Sequence, residues 1–172
     1  SADGLLSERY AWEYDLNGQV TSEIYFTEEA EPSETITYHR DENGRLIRET
    51  KKYLDESVDV TTYQYNDEGK LAEKVTVDDE GVTGAREKFE WKDGFLVKHE
   101  IIDEEGNRIL AEEFVTDARG NVLEHKRVNE ESGENFRIVT KYDESNRKIS
   151  EKLYNEENHL VETTRYIPDE QG

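Results

Sequence analysis

Along this chain apolar and polar residues alternate with a period of two, and turn-forming residues break the pattern at short intervals. In Thr61-Thr62-Tyr63-Gln64-Tyr65 the aromatic residues fall on one side of an extended segment, and Phe89-Glu90-Trp91 repeats the pattern. After the turn that follows Tyr65, Leu71, Val75 and Val77 are expected on one face and Lys70, Lys74 and Thr76 on the other. Such alternation is the signature of a half-buried strand. The segments are rich in Tyr, Val, Ile, Thr, Phe and Trp, which suit a pleated surface. Helical spacing is nowhere sustained, and Ala and Leu are too sparse to sustain it. The chain is predicted to be all β.

The breaks form two interleaved sets. One is rich in Asp and Asn and closes at Gly18, Gly44, Gly69, Gly94, Gly120 and Asn146, a 25–26-residue period. The other covers residues 28–34, 55–57, 78–81, 103–106, 129–133 and 155–158. Subtracting roughly 4 residues per turn leaves strands of about 8–9 residues. A fixed period in this range marks a repeat architecture. The expectation is one domain over residues 1–172, an antiparallel up-and-down meander of about six repeated β-hairpins. It is expected as a strongly curved single sheet, open or partly rolled. A closed barrel of about 13 strands would have a lumen too wide for side chains to fill.

Turn chemistry agrees with this reading. Asp67-Glu68-Gly69 and Leu16-Asn17-Gly18 suit a type I turn followed by a left-handed residue, a conformation that glycine adopts without steric penalty. Lys92-Asp93-Gly94-Phe95 is one residue shorter and reads as a two-residue type I′ hairpin. Both loops place an aromatic opposite an aliphatic: Tyr14 with Val20, Tyr65 with Leu71, Trp91 with Leu96, Tyr154 with Leu160. Such cross-strand pairs contribute roughly 0.2–1 kcal/mol each.

Composition narrows the function. The hydrophobic fraction is 33% and the charged fraction 38%, values that on their own suit a disordered chain. Against disorder, the aromatics recur at fixed positions and only two prolines occur. The net charge is −21, so phosphate neutralisation is not available and nucleic acid is excluded as a partner. An anionic membrane surface is disfavoured for the same reason, and no apolar run approaches the roughly 18 residues of a membrane span. Well-repelled monomers are expected. With no cysteine, disulfides and thiolate catalysis are absent. The chain has no methionine and opens Ser1-Ala2-Asp3-Gly4, which is expected of a processed, exported protein: periplasmic, cell-surface or secreted.

Candidate chemistry is sparse. His39, His99, His125 and His159 show no metal-ligand spacing and are expected as exposed sheet residues. There is no nucleophile elbow, phosphate loop or dinucleotide fingerprint. Neither catalysis, a cofactor nor a metal is expected. The acidic turns, such as Asp41-Glu42-Asn43-Gly44 and Asp103-Glu104-Glu105-Gly106, supply oxygen ligands for calcium, but Asp and Asn there are explained by turn geometry. The remaining candidates are the aromatic positions Trp12, Tyr14, Tyr38, Tyr63, Tyr65, Phe89, Trp91 and Phe114. They form either the buried face of the sheet or an exposed stripe that grips a partner.

The phrase Tyr63-Gln64-Tyr65-Asn66-Asp67-Glu68-Gly69-Lys70-Leu71, with residues 39–46 and 13–20, resembles the YD repeat of the Rhs family. The resemblance implies a long antiparallel β-ribbon that curls into a shell, on bacterial surface, secreted or toxin-associated proteins, with no enzymatic activity in the repeats. Arg40 and Thr116 stand where the second aromatic belongs, and the turn at Ser145-Asn146 lacks its glycine. The leading expectation is a non-enzymatic exported repeat protein whose sheet surface binds another macromolecule, a protein or a cell-surface component. The alternatives are a carrier with its aromatic face lining a cavity for an apolar ligand, and a structural fragment of a larger repeat shell.

Overall fold

The computed structural model describes residues 9–167. The strands are β1 (Arg9–Tyr14), β2 (Val20–Phe26), β3 (Pro32–Arg40), β4 (Leu46–Tyr53), β5 (Val58–Tyr65), β6 (Leu71–Val77) and β7 (Thr83–Lys92). They continue as β8 (Phe95–Ile102), β9 (Arg108–Thr116), β10 (Val122–Asn129), β11 (Asn135–Tyr142), β12 (Lys148–Asn155) and β13 (Leu160–Arg165). Their order in the sheet is their order in the chain, an antiparallel meander that is not closed into a barrel. No helix occurs among the described residues. By compactness the chain divides at Arg86/Glu87 into two units.

The turns form by one local mechanism. In the first, Gly18 N–H donates to Asp15 C=O at 3.1 Å and Asp15 N–H to Gln19 C=O at 2.9 Å. The Asp15 carboxylate then accepts from the N–H groups of Asn17 at 2.8 Å and Gln19 at 2.9 Å. Asp41, Asn66 and Asp117 hold their own turns in the same way, and the Asn155 side chain accepts from His159 N–H. These hydrogen bonds hold the Asp15 and Asp41 carboxyls below their ordinary range. The turn carboxylates are thus engaged with backbone. In the shorter turn both Asp93 (φ 52°) and Gly94 (φ 81°) are left-handed, as a type I′ hairpin requires.

The expected pairs Tyr14–Val20, Tyr65–Leu71 and Tyr154–Leu160 face each other. Beyond each pair the register steps by one residue. Tyr65 faces Leu71, yet Gln64 faces Glu73, so Ala72 is an extra residue, a β-bulge. Thr21, Ile47, Leu123, Ile149 and Val161 are extra at the same offset from their turns. The bulge corrects the expected faces of β6. Leu71 lies with Lys74 and Thr76, opposite Tyr65, Tyr63 and Thr61, while Val75 and Val77 occupy the other face with Thr62 and Val60.

Neither face makes a thick core. The buried apolar residues are Val75, Leu110 and Ala111, and the buried polar ones are Ser22, Thr61 and Thr140. No described side chain is fully buried. Thr61 and Thr76 satisfy each other across β5 and β6, with their hydroxyls 2.8 Å apart. Backbone ladders and half-buried cross-strand pairs therefore carry the fold.

Candidate functional site

Pairing registers place Tyr10, Trp12 and Tyr14 of β1 on the same face as Glu23, Tyr25, Tyr38, Glu49, Tyr63 and Tyr65. By exposure the candidate aromatics divide in two. Tyr38, Tyr63, Tyr65, Phe89, Trp91 and Phe114 are half-buried, whereas Trp12 is 47% and Tyr14 59% exposed.

The half-buried aromatics are held by partners that match their chemistry. Tyr38 donates to Glu23 at 3.2 Å, and Tyr63 to Glu49 at 3.1 Å. Burial and the Glu23 carboxylate push the Tyr38 hydroxyl up to about 12, and burial beside Glu49 raises that of Tyr63 as well. Phe89 and Phe114 lack a hydroxyl, and each is met instead by a histidine of the following strand, five residues after the turn glycine. His99 stacks on Phe89 at 4.7 Å and His125 on Phe114 at 4.6 Å.

The two histidines share one carboxylate. Glu112 accepts from His99 Nδ1 at 3.2 Å and His125 Nε2 at 3.0 Å, with Arg127 Nη1 3.6 Å away. Burial alone would raise the Glu112 carboxyl. The hydrogen bonds from both imidazoles and the charges of His125 and Arg127 outweigh that and hold it below its ordinary range. His99 and His125 are therefore half-buried and not exposed as expected, because their partners arrive from neighbouring strands. His39 and His159 are exposed.

The second aromatic position also has a structural task. Tyr65 donates to Leu46 C=O at 2.7 Å and Tyr142 to Val122 C=O at 3.5 Å, each reaching back about one repeat. Arg40, an apparent irregularity, performs the same task. Its guanidinium donates to Val20 C=O at 2.7 Å and lies over the Tyr38 ring.

Thr116 does not replace that reach, and a groove of about 560 Å³ opens beside it, lined by Phe95, Val97, Phe114, Thr116 and Ala118 among others. The equivalent groove three repeats earlier, about 320 Å³, is lined by Gln19, Thr21, Tyr38, Arg40 and Glu42 among others. Counting from the turn glycine, four polar residues are thus exchanged together: Gln19 for Phe95, Thr21 for Val97, Arg40 for Thr116, Glu42 for Ala118. Phe95 lies across Gly120, where an added Cβ would stand 2.6 Å from its ring.

The other unusual surface is β1. Its outer edge has no partner strand among the described residues. On it Tyr10 (52% exposed), Trp12 and Tyr14 form a contiguous aromatic stripe, with the Tyr10 and Trp12 rings edge-to-face at 4.7 Å. Exposure of Tyr14 has a plain cause. Tyr65 and Tyr142 are half-buried because each lies against the preceding hairpin, and β1 has no such neighbour among the described residues.

No family model and no curated protein matches the chain. Solved structures do. The crystal structure of a porin-like protein from Bacteroides uniformis is 10% identical with a TM-score of 0.55, over 91% of this chain and 74% of that one. The fold is a repeated antiparallel β-meander. The crystal structure of TcdB2-TccC3 is 10% identical with a TM-score of 0.32, over 91% of this chain but only 12% of that one. Identity this low carries the fold alone in the first case, and the second adds no argument to it.

Proposed function

We propose that this chain is a non-enzymatic, exported repeat protein that binds another macromolecule through the outer edge and aromatic face of β1. The observation that carries the reading is the exposure of Tyr10, Trp12 and Tyr14 on a strand whose outer edge has no partner among the described residues, while matching aromatics inside the sheet are half-buried. An open strand edge offers main-chain donors and acceptors, and side chains on alternate positions provide selectivity. Trp and Tyr give large contact area and a polar handle. The resemblance to YD repeats supports the exported setting.

A synthetic peptide of residues 121–130, the kind of strand that lies before such an aromatic strand within the sheet, tests the edge. Trp12 emission is followed in a Trp91→Phe background. The peptide is expected to shift Trp12 emission saturably, and W12A/Y14A, followed with a labelled peptide, is expected to bind at least about tenfold more weakly. Equal binding of a scrambled peptide would sink the reading.

A carrier of small apolar ligands is the second reading, supported by the groove at Phe95, Val97, Phe114 and Thr116. It requires the native protein to enhance the fluorescence of a hydrophobic dye and F95Q/V97T to abolish the signal. Dye binding that survives those substitutions removes this reading.

A further inference from the structure

Resting on the reading of β1 as the binding edge, the geometry points to a second copy of this chain as the occupant, paired β1 to β1 across a two-fold axis. Three features of the strand carry this. The residues Arg9-Tyr10-Ala11-Trp12-Glu13 are charge-complementary to themselves when run antiparallel. With Ala11 opposite Ala11 of the second copy, Arg9 of each chain faces Glu13 of the other, and Tyr10 faces Trp12. Both charge pairs then fall on one face and both aromatic pairs on the other, as the alternation of β1 against β2 requires. The smallest side chain of the strand lies on the axis, where two backbones approach.

The contact also continues an interface already present. Strand after strand of this sheet joins its neighbour by antiparallel pairing with an aromatic or charged cross-strand partner, as Trp12 faces Glu23 and Tyr10 faces Tyr25 across β1 and β2. A second copy extends the same ladder outward and covers the aromatic stripe, which the existing sheet covers only from one side. A two-fold contact of this type closes on itself and uses one edge per chain, so it gives a dimer and not a fibre. It departs from the monomer expected from net charge. Each chain carries −21, so long-range repulsion opposes association at low salt and screening relieves it.

Sedimentation equilibrium of the full chain at low and at about 0.5 M salt, alone and with charge reversals, tests the register. Wild type is expected to be a reversible dimer that tightens with salt. R9E and E13R each place like charges opposite one another twice per dimer, and each is expected to dissociate at least about tenfold more readily. The double variant R9E/E13R restores both pairs and is expected to recover the wild-type constant. Recovery sets this register apart from any other, since no other alignment of β1 on itself pairs those two positions. Three outcomes overturn the inference: a wild type monomeric at all concentrations, single reversals without effect, or a double variant no better than the singles. Peptide binding at β1 by a strictly monomeric chain overturns the dimer alone; loss of both overturns the edge reading as well.

Discussion

Glu112→Gln removes the charge on which His99, His125 and Arg127 converge. Its side chain is only 15% exposed, and its two oxygens accept from the imidazoles at 3.2 and 3.0 Å. The amide keeps one acceptor oxygen and presents an NH₂ group to the other imidazole, so that ring loses its charge-assisted bond or must change tautomer. Hydrogen bonds to charged groups contribute about 1.5–3 kcal/mol each. Partial exposure moderates this, and a loss of about 2 kcal/mol is expected. For a chain of this length that is about 4–8 °C in Tm. The pH dependence has a definite sign. The folded-state value of Glu112 is depressed below its ordinary 4.5, so its stabilisation is complete above about that pH and is lost as pH falls through the lower folded value. Urea unfolding of wild type and E112Q, followed by circular dichroism at pH 7 and near pH 3.5, measures both effects. The gap should be about 2 kcal/mol at pH 7 and narrow in acid. A gap below about 0.5 kcal/mol at pH 7, or one that widens below pH 4.5, refutes the account.

Tyr38, pushed up to about 12 by burial and Glu23, should remain protonated when exposed tyrosines ionise. Its contribution is complete below pH 10 and is lost as pH rises toward 12, so Y38F should lose the alkaline part of the unfolding curve seen for wild type between those values. Arg40→Ala removes the 2.7 Å bond to Val20 C=O and should cost about 1–2 kcal/mol in denaturant unfolding, while Arg40→Tyr, which restores the residue type of Tyr65, should cost much less. Gly120→Ala meets both a φ of +86° and the Phe95 ring, whereas Gly18→Ala has the positive φ but nothing within 4 Å. Gly120→Ala is therefore expected to lower Tm the more of the two, by about 1–3 kcal/mol of stability, and equal effects would show that Phe95 moves freely aside.

What was legible in the chain is what lies within one hairpin. The turn residues, the type I′ turn at Asp93-Gly94 and the pairs Tyr14–Val20, Tyr65–Leu71 and Tyr154–Leu160 follow from residues a few positions apart. The bulge was hidden, because the extra residue carries no characteristic type: it is Thr21, Ile47, Ala72, Leu123, Ile149 and Val161 in turn. Nor do His99 and His125 announce themselves. Glu112 lies 13 residues from each, and only their strands bring them together. A signal did exist in the column five residues after each turn glycine or asparagine, which reads Glu23, Glu49, Lys74, His99, His125 and Glu151. The exposure of Trp12 and Tyr14 was illegible for another reason. It depends on what lies beside β1 and not on the residues themselves.

That column explains how so thin a sheet specifies its own register. Burying a tyrosine ring requires a partner for its hydroxyl, and Glu23 and Glu49 provide one from the preceding hairpin. Where the ring is phenylalanine no hydroxyl needs a partner, and the following strand of the same hairpin places a histidine beside it, a flat ring stacked on Phe89 and on Phe114. The imidazole nitrogens then need an acceptor, and Glu112 provides it between them. Tyr with a Glu of the preceding hairpin and Phe with a His of its own hairpin both depend on register, and a strand slipped by a single residue would satisfy neither. The same accounting applies at β1. Trp12 and Tyr14 are residues of the kind the sheet covers wherever it has a neighbouring hairpin, and the self-complementary charges of Arg9 and Glu13 bracket Tyr10 and Trp12 on an edge without a partner among the described residues. A strand that only terminated the sheet would gain from exposed lysine or proline at Trp12, the usual means of keeping edges apart. The aromatic residues found there instead are what the proposed pairing of β1 with a second copy requires.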